Sequence, residues 1–227
     1  MNTDWIFSQR PSSIAEIATY PNLRERLTMY VDEGNFGHLI FAGGWGTGKT
    51  SVARILGATN ENSFVEVDCT DNNTPSKLKE VKKGSITQSL FGGRKIIFLD
   101  EFHEVAKPTQ TIFNKPMEDR NNLAGYILGV NDIDKINPSI ISRCMILSFD
   151  VGSVNGKTKK FTPHSYTKMT RTEWIEELKR AVNIVADKEG VKIKNKTFDA
   201  VLETDVYLTD PRSFVRAVNE QFRMDEK

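Results

Sequence analysis

The sequence predicts an α/β protein, a parallel sheet flanked by helices, followed by a small all-helical unit. Three observations carry that expectation. Short apolar runs alternate with helical segments up to about residue 150. A glycine-rich phosphate-loop pattern sits between the first apolar run and the next helix. Composition then changes after Asp150, where an acid-free stretch precedes three helical patterns.

Asn22–Glu33 reads as a helix and His38–Ala42 (HLIFA) as the first strand. Helices at Lys49–Ala58, Pro75–Lys83 and Thr109–Glu118 alternate with strands at Phe64–Asp68, Ile96–Asp100, Tyr126–Val130 and Cys144–Phe149. Most of these runs are apolar at successive positions, as strands covered on both faces must be. Val151–Thr172 carries Lys157, Lys159, Lys160, Lys168 and Arg171 among Gly, Ser, Thr and Pro, and reads as a linker or exposed loop. Beyond it, Thr172–Glu189 places Trp174, Leu178, Ala181, Val182 and Val185 on one face. Lys196–Glu203 is a shorter helix, and Pro211–Met224 opens with Asp210 as N-cap and Pro211 at the first helical position. The expected organisation is an α/β domain over 1–150, a basic linker over 151–170 and a helical domain over 171–227.

Composition narrows the function classes. The 227 residues are 38% hydrophobic, enough for a core and too much for a disordered chain. Basic residues number 31 and acidic residues 30, so a general nucleic-acid coat is excluded and any DNA contact must be a local patch. Cys69 and Cys144 make no disulfide framework, and a reduced, cytoplasmic setting is the expectation. No apolar run approaches the roughly 20 residues of a membrane helix, and the first residues do not read as a secretory leader. The three histidines and two cysteines lack zinc-ligand spacing.

Gly43-Gly44-Trp45-Gly46-Thr47-Gly48-Lys49-Thr50 fits the pattern G-x-x-x-x-G-K-[ST] between a strand and a helix. Glycines let successive N–H groups turn toward phosphate oxygens, and the helix beginning at Lys49-Thr50-Ser51 adds its positive end. Lys49 would reach the β- and γ-phosphates, and the Thr50 hydroxyl would hold Mg²⁺. Ile96–Asp100 is an apolar strand, and with Glu101 it ends in two carboxylates. Asp100 suits the same Mg²⁺, and Glu101 suits activation of a water. A strand ending in Asp-Glu is a weak signal alone. Paired with an upstream phosphate loop, it favours nucleotide hydrolysis over transfer to a small molecule.

These residues, together with four further blocks of the chain, resemble the AAA+ ATPases, in particular the small subunits of sliding-clamp loaders of the replication factor C and phage type. Trp5 and Arg10-Pro11-Ser12 are similar to that family's opening beside the adenine, with Ser8-Gln9 in place of its Lys-Tyr. Gln110, Phe113, Met117 and Glu118 fall at the family's spacing after the carboxylate pair. His103 stands where an Asp is usual, and Asn114-Lys115 where paired basic residues often face DNA. Asn131 resembles sensor 1, and Ser142-Arg143-Cys144 resembles the motif whose arginine reaches the ATP of a neighbouring subunit. Thr209-Asp210-Pro211-Arg212, with Val215 and Asn219, resembles the sensor-2 helix of the lid, which gives Arg212 the role of sensing the γ-phosphate. The resemblance runs from residue 5 to residue 220 and does not reach the family's helical collar.

The resemblance implies ATP hydrolysis stimulated by DNA and clamp, with ATP/ADP and Mg²⁺ as ligands. It implies a ring or spiral of about five subunits that opens a sliding clamp and places it on primer–template DNA. Candidate DNA contacts are Lys77, Lys79, Lys82 and Lys83, the Thr109–Glu118 helix and, less favoured, the basic stretch over 151–172. A helicase loader or replication initiator and a non-hydrolysing scaffold subunit remain as alternatives. A small-molecule kinase leaves Arg143 and Arg212 together without a purpose.

Overall fold

The structure is a computed structural model that describes residues 10–59, 62–86, 94–119, 124–155, 157–158 and 160–225. The chain divides into two compact units, each discontinuous in sequence. One is drawn from Leu27–Gly43 and Val52–Ser148, the other from Met1–Arg26, Gly44–Ser51 and Phe149–Lys227.

In chain order, helix α1 (Pro21–Glu33) leads to β1 (His38–Ala42), α2 (Lys49–Gly57), β2 (Ser63–Asp68) and α3 (Pro75–Ile86). Strand β3 (Lys95–Asp100), helices α4 (Lys107–Gln110) and α5 (Asn114–Glu118), β4 (Gly125–Val130), α6 (Pro138–Ile141) and β5 (Cys144–Ser148) come next. The five strands form one parallel sheet in the order β2-β3-β4-β1-β5. The three central strands are apolar and buried, whereas the edge strands are partly open on both faces, exposing Val65 on β2 and the consecutive Met145 and Ile146 on β5. The two-sided burial expected from sequence therefore holds for the centre of the sheet and not for its edges.

The core of this unit gathers Ile97, Leu99, Phe102, Phe113, Tyr126, Leu128 and Ile140. Phe113 meets Phe102 and Tyr126 edge-on, with ring centroids 5.9 and 5.6 Å apart. The single helix expected over Thr109–Glu118 is instead α4, a 3₁₀ turn at Thr111–Phe113 and α5. Pro116 explains the break, since it has no N–H to give the carbonyl four residues back and its ring crowds that carbonyl. Gln110, fully buried, bridges the region. Its Nε2 donates to the carbonyls of Val105 (2.8 Å) and Lys135 (3.1 Å), and its Oε1 accepts from the Asn137 N–H (2.7 Å).

The other unit contains strands β6 (Gly152–Val154) and β7 (Phe161–Pro163), helices α7 (Arg171–Lys188) and α8 (Asn195–Val201), and α9 (Pro211–Asp225). The stretch read as a linker or loop thus contains an antiparallel hairpin, with Val154 opposite Phe161. Three-residue strands are too short to leave a legible alternation. The hairpin is held from outside, because the Phe161 N–H donates to Asp205 Oδ2 (2.7 Å) and Arg171 pairs with the same carboxylate. Helix α7 buries Trp174, Leu178, Ala181, Val182 and Val185, the face expected from sequence. It starts one residue earlier than expected because Thr170 and Glu173 close a capping box. The Trp174 Nε1–H donates to the Leu208 carbonyl (2.7 Å), satisfying the polar edge of a buried indole.

Glu16 ties the N-terminal segment to α7. Burial works to raise its pKa, but hydrogen bonds from Lys188, Ser12 and Ser13 outweigh it and bring the carboxyl down from 4.5 to about 2. A depressed carboxyl stabilises the folded state above its unfolded pKa and loses that contribution as pH falls between 4.5 and about 2. Glu16→Gln is expected to cost about 1.5–3 kcal/mol at neutral pH, the range for hydrogen bonds to charged groups. Denaturant unfolding at several pH values checks this, with the gap between variant and wild type closing on acidification.

Candidate functional site

The phosphate loop from Gly44 onward belongs to the unit that contains the C-terminal helices. The Gly44 N–H donates to Asp150 Oδ1 (2.8 Å), and the Gly44 carbonyl accepts from Thr47 Oγ1 (2.9 Å) and Lys49 Nζ (2.7 Å). Thr47 and Lys49 are buried, Trp45 is exposed at the tip, and Thr50 and Ser51 lie in the first turn of α2. Gly46 has φ +74°, and a Cβ there would stand 1.7 Å from Asp210 Oδ1 and 3.1 Å from the Cβ of Arg212. Only glycine allows that conformation together with that approach. The loop therefore lies directly against the start of α9. Asp210 caps this helix through the Ser213 N–H (3.1 Å) and hydroxyl (2.6 Å), as expected. Arg212, exposed at the first turn, is thereby brought beside the loop through its Cβ. Asn219 is buried further along α9 and Val215 half-buried. Arg10 is exposed and Pro11 half-buried, and Ile17 just beyond them lies against Gly48. Trp5, Ser8 and Gln9 lie outside the described residues.

The sheet unit brings Asp100, Glu101 and Asn131 together at the C-terminal edge of β3 and β4. Leu99 pairs with Leu128, which sets Asp100 beside Gly129. A Cβ on Gly129 would come within 2.6 Å of Asp100 Oδ1, so the absent side chain is what admits the carboxylate. That oxygen also accepts the Glu101 N–H (3.0 Å). Glu101 has φ 51° and ψ 37°, and only Lys168 shares a positive φ among the described non-glycine residues. A left-handed glutamate costs backbone energy and turns the chain sharply at the strand end. Glu101 Oε2 then accepts from Asn131 Nδ2 (3.0 Å) and lies 3.4 Å from His103 Nε2. His103 Nδ1 in turn accepts the Asn131 N–H (3.4 Å). Beyond β1, Gly43 follows Ala42 at the same edge and donates its N–H to the Val130 carbonyl (3.0 Å).

Arg143 comes shortly after α6, whose N-cap Asn137 accepts the Ser139 N–H (2.9 Å). Its guanidinium bonds to the Ser139 carbonyl and pairs with Glu118 at the end of α5. Two residues singled out for their spacing, Glu118 and Arg143, are thus one ion pair. Cys144 begins β5, where burial pushes its thiol up to about 12. On α3, Leu78 is buried while Lys77, Lys79 and Lys83 are exposed and Lys82 half-exposed. Asn114 is half-buried, its Oδ1 accepting from Ser139 Oγ (3.1 Å), and Lys115 is exposed.

No cluster of three or more His, Cys, Asp or Glu side chains suited to a metal occurs among the described residues. The Thr50 hydroxyl and Asp100 carboxylate are hard oxygen donors of the kind Mg²⁺ takes alongside phosphate oxygens and water. No helix among the described residues is long and apolar enough to cross a membrane. Sequence reasoning missed what Asp150 and His103 do. In the sequence Asp150 is simply the last residue of a domain, and His103 a departure from a pattern. A histidine two residues beyond a carboxylate was the available signal.

Residues 39–150 match the family described as ATPase family associated with various cellular activities (AAA). A replication factor C small subunit from Halobacterium salinarum is 34% identical over 152 residues, covering 64% of this chain and 47% of that protein. Another from Methanococcus maripaludis is 26% identical over 209 residues, covering 89% of this chain and 60% of that protein. The chain thus spans about half to three-fifths of the length of these relatives. Among solved structures, RuvB from Thermotoga maritima superposes with a TM-score of 0.66 at 18% identity, over 98% of this chain and 66% of that one. That similarity is one of fold. The parallel sheet, the phosphate loop and the matched segment agree: residues 39–150 are an AAA ATPase domain, and replication factor C small subunits are among the sequence relatives of the chain.

Proposed function

We propose that the chain is an ATP-hydrolysing subunit of a sliding-clamp loader, which opens a DNA polymerase clamp and places it on primer–template DNA. The observation that carries hydrolysis is the Glu101 carboxylate held by the Asn131 amide at the sheet edge. A scaffold that only binds nucleotide has no use for a positioned carboxylate. The clamp-loader reading draws on the relatives named replication factor C small subunit.

In this reading the loop N–H groups and Lys49 hold the phosphates, Lys49 exchanging the Gly44 carbonyl for them. Thr50 and Asp100 would hold Mg²⁺, which supplies charge neutralisation at the phosphates when bound. Glu101 takes the proton of the attacking water, and Asn131 orients it. Arg212 reads the γ-phosphate from the first turn of α9. Arg143 acts on the nucleotide of a neighbouring subunit, leaving Glu118 to do so. A guanidinium suits that exchange because it stays charged and donates in a fixed fork to carboxylate and phosphate alike. The lysines of α3 and the α4–α5 region face the duplex backbone, and the protein works inside the cell.

Two measurements test this. Gly46→Ala, which forces a Cβ onto Asp210, is expected to abolish binding of a fluorescent ATP analogue while the sheet unit stays folded by circular dichroism. Arg143→Ala is expected to lower ATP turnover of the assembly with clamp and primed DNA by about 10³-fold or more, the scale of an arginine finger in trans, with ATP binding retained. Turnover unchanged by Arg143→Ala sinks the finger assignment, and turnover indifferent to clamp and primed DNA sinks the clamp-loader reading.

A further inference from the structure

Position 103 is one of the points at which this sequence departs from the pattern it resembles, and the structure gives this departure a physical content. The His103 side chain is 7% exposed. Its Nδ1 faces the Asn131 N–H at 3.4 Å, and a backbone N–H can only donate. Nδ1 therefore carries the lone pair, and the ring hydrogen sits on Nε2. Nε2 lies 3.4 Å from each of two carboxylate oxygens, Glu101 Oε2 and Glu104 Oε1. Glu101 Oε2 already accepts Asn131 Nδ2 at 3.0 Å. One imidazole thus closes a ring of contacts, from the Asn131 backbone through His103 to the Glu101 carboxylate and back through the Asn131 side chain.

We propose that His103 is a positioning residue for Glu101, fixing the orientation of that carboxylate through Nε2 while its Nδ1 is anchored on the strand-end backbone at Asn131. The inference rests on the reading of Glu101 as the general base. Glu101 sits in a left-handed backbone conformation at the end of a strand, and its side chain is 28% exposed, so neighbouring contacts decide its rotamer. A second donor on the same oxygen narrows that choice. An aspartate at 103 is acceptor-only when ionised and cannot supply that donor. This chain therefore orients its base by a device that the usual residue at this position cannot provide. His103 itself need not touch the water or the nucleotide.

The two ring nitrogens can be separated by substitution. His103→Gln keeps a donor near the position of Nε2 and gives up the Nδ1 acceptor. His103→Asn keeps an acceptor near Nδ1 and gives up the donor to Glu101. Single-turnover ATP hydrolysis, with the full chain in excess over labelled ATP, resolves even a slow basal rate. ATP affinity and thermal unfolding are measured on the same samples, and Glu101→Gln is the control. His103→Asn is expected to slow hydrolysis by roughly 10- to 100-fold, the cost of a misplaced reacting group, with ATP affinity unchanged. His103→Gln is expected to stay within about threefold of wild type, since the donor that orients the base is kept. Equal slowing in both variants, tracking lost thermal stability, overturns the proposal in favour of a structural role. Faster hydrolysis in His103→Asn overturns it as well, since His103 would then restrain the base. Should Glu101→Gln hydrolyse ATP at the wild-type rate, the reading of Glu101 fails first. Should Glu101→Gln be inactive while His103→Asn is unimpaired, only the role of His103 fails.

Discussion

The backbone register of three parallel strands is the constraint on which the sheet edge depends. Leu99 on β3 is level with Leu128 on β4, and Ala42 on β1 is level with Val130. Parallel ladders are evenly spaced, so the ends of β3, β4 and β1 arrive side by side without help from any side chain. Asp100, Asn131 and Gly43 are simply the next residues along, and the sheet has placed them before any chemistry is considered. This is the general property of open parallel sheets, whose ligands gather beyond the carboxyl ends of the strands. Gly129 shows how tight the arrangement is, since the Asp100 carboxylate occupies the space its side chain would take.

On that edge, specificity comes from a small number of polar contacts. Glu101 accepts a strained backbone, and one of its oxygens takes the Asn131 amide with His103 Nε2 3.4 Å away. Gln110 stitches three backbone groups around the broken helical segment after β3. Because it is buried and its amide is used on both ends, each bond would leave a desolvated partner behind if lost. Arg143 and Glu118 likewise tie two short helical segments whose length gives them little stability of their own.

Much of this was legible in the sequence, and the exceptions have a common cause. The five strands, the helices between them, the cap at Asp210 and the buried face of α7 come from apolar periodicity and cap chemistry, which are local. The hairpin after β5 was not legible, because its strands span three residues and its anchor, Asp205, comes from far along the chain. The break at Pro116 could have been read, since proline inside a helical pattern carries its own warning. Spacing alone flagged Glu118 and Arg143 separately, but only coordinates join them. His103 was visible as an oddity, and its tautomer and partners exist only once Asn131 is folded back beside it. Local rules find elements. Pairwise contacts between distant residues, where the distinctive polar chemistry resides, need the fold.

The overlap between Gly46 and Asp210 has a consequence for how this protein can change. The two positions share one volume, so residue 46 can grow only if residue 210 shrinks, which uncaps a helix, and a glycine has nothing left to give up to a larger residue 210. Loop and helix start must therefore drift together or not at all, and a lineage that enlarged one would have to rebuild the other in the same step.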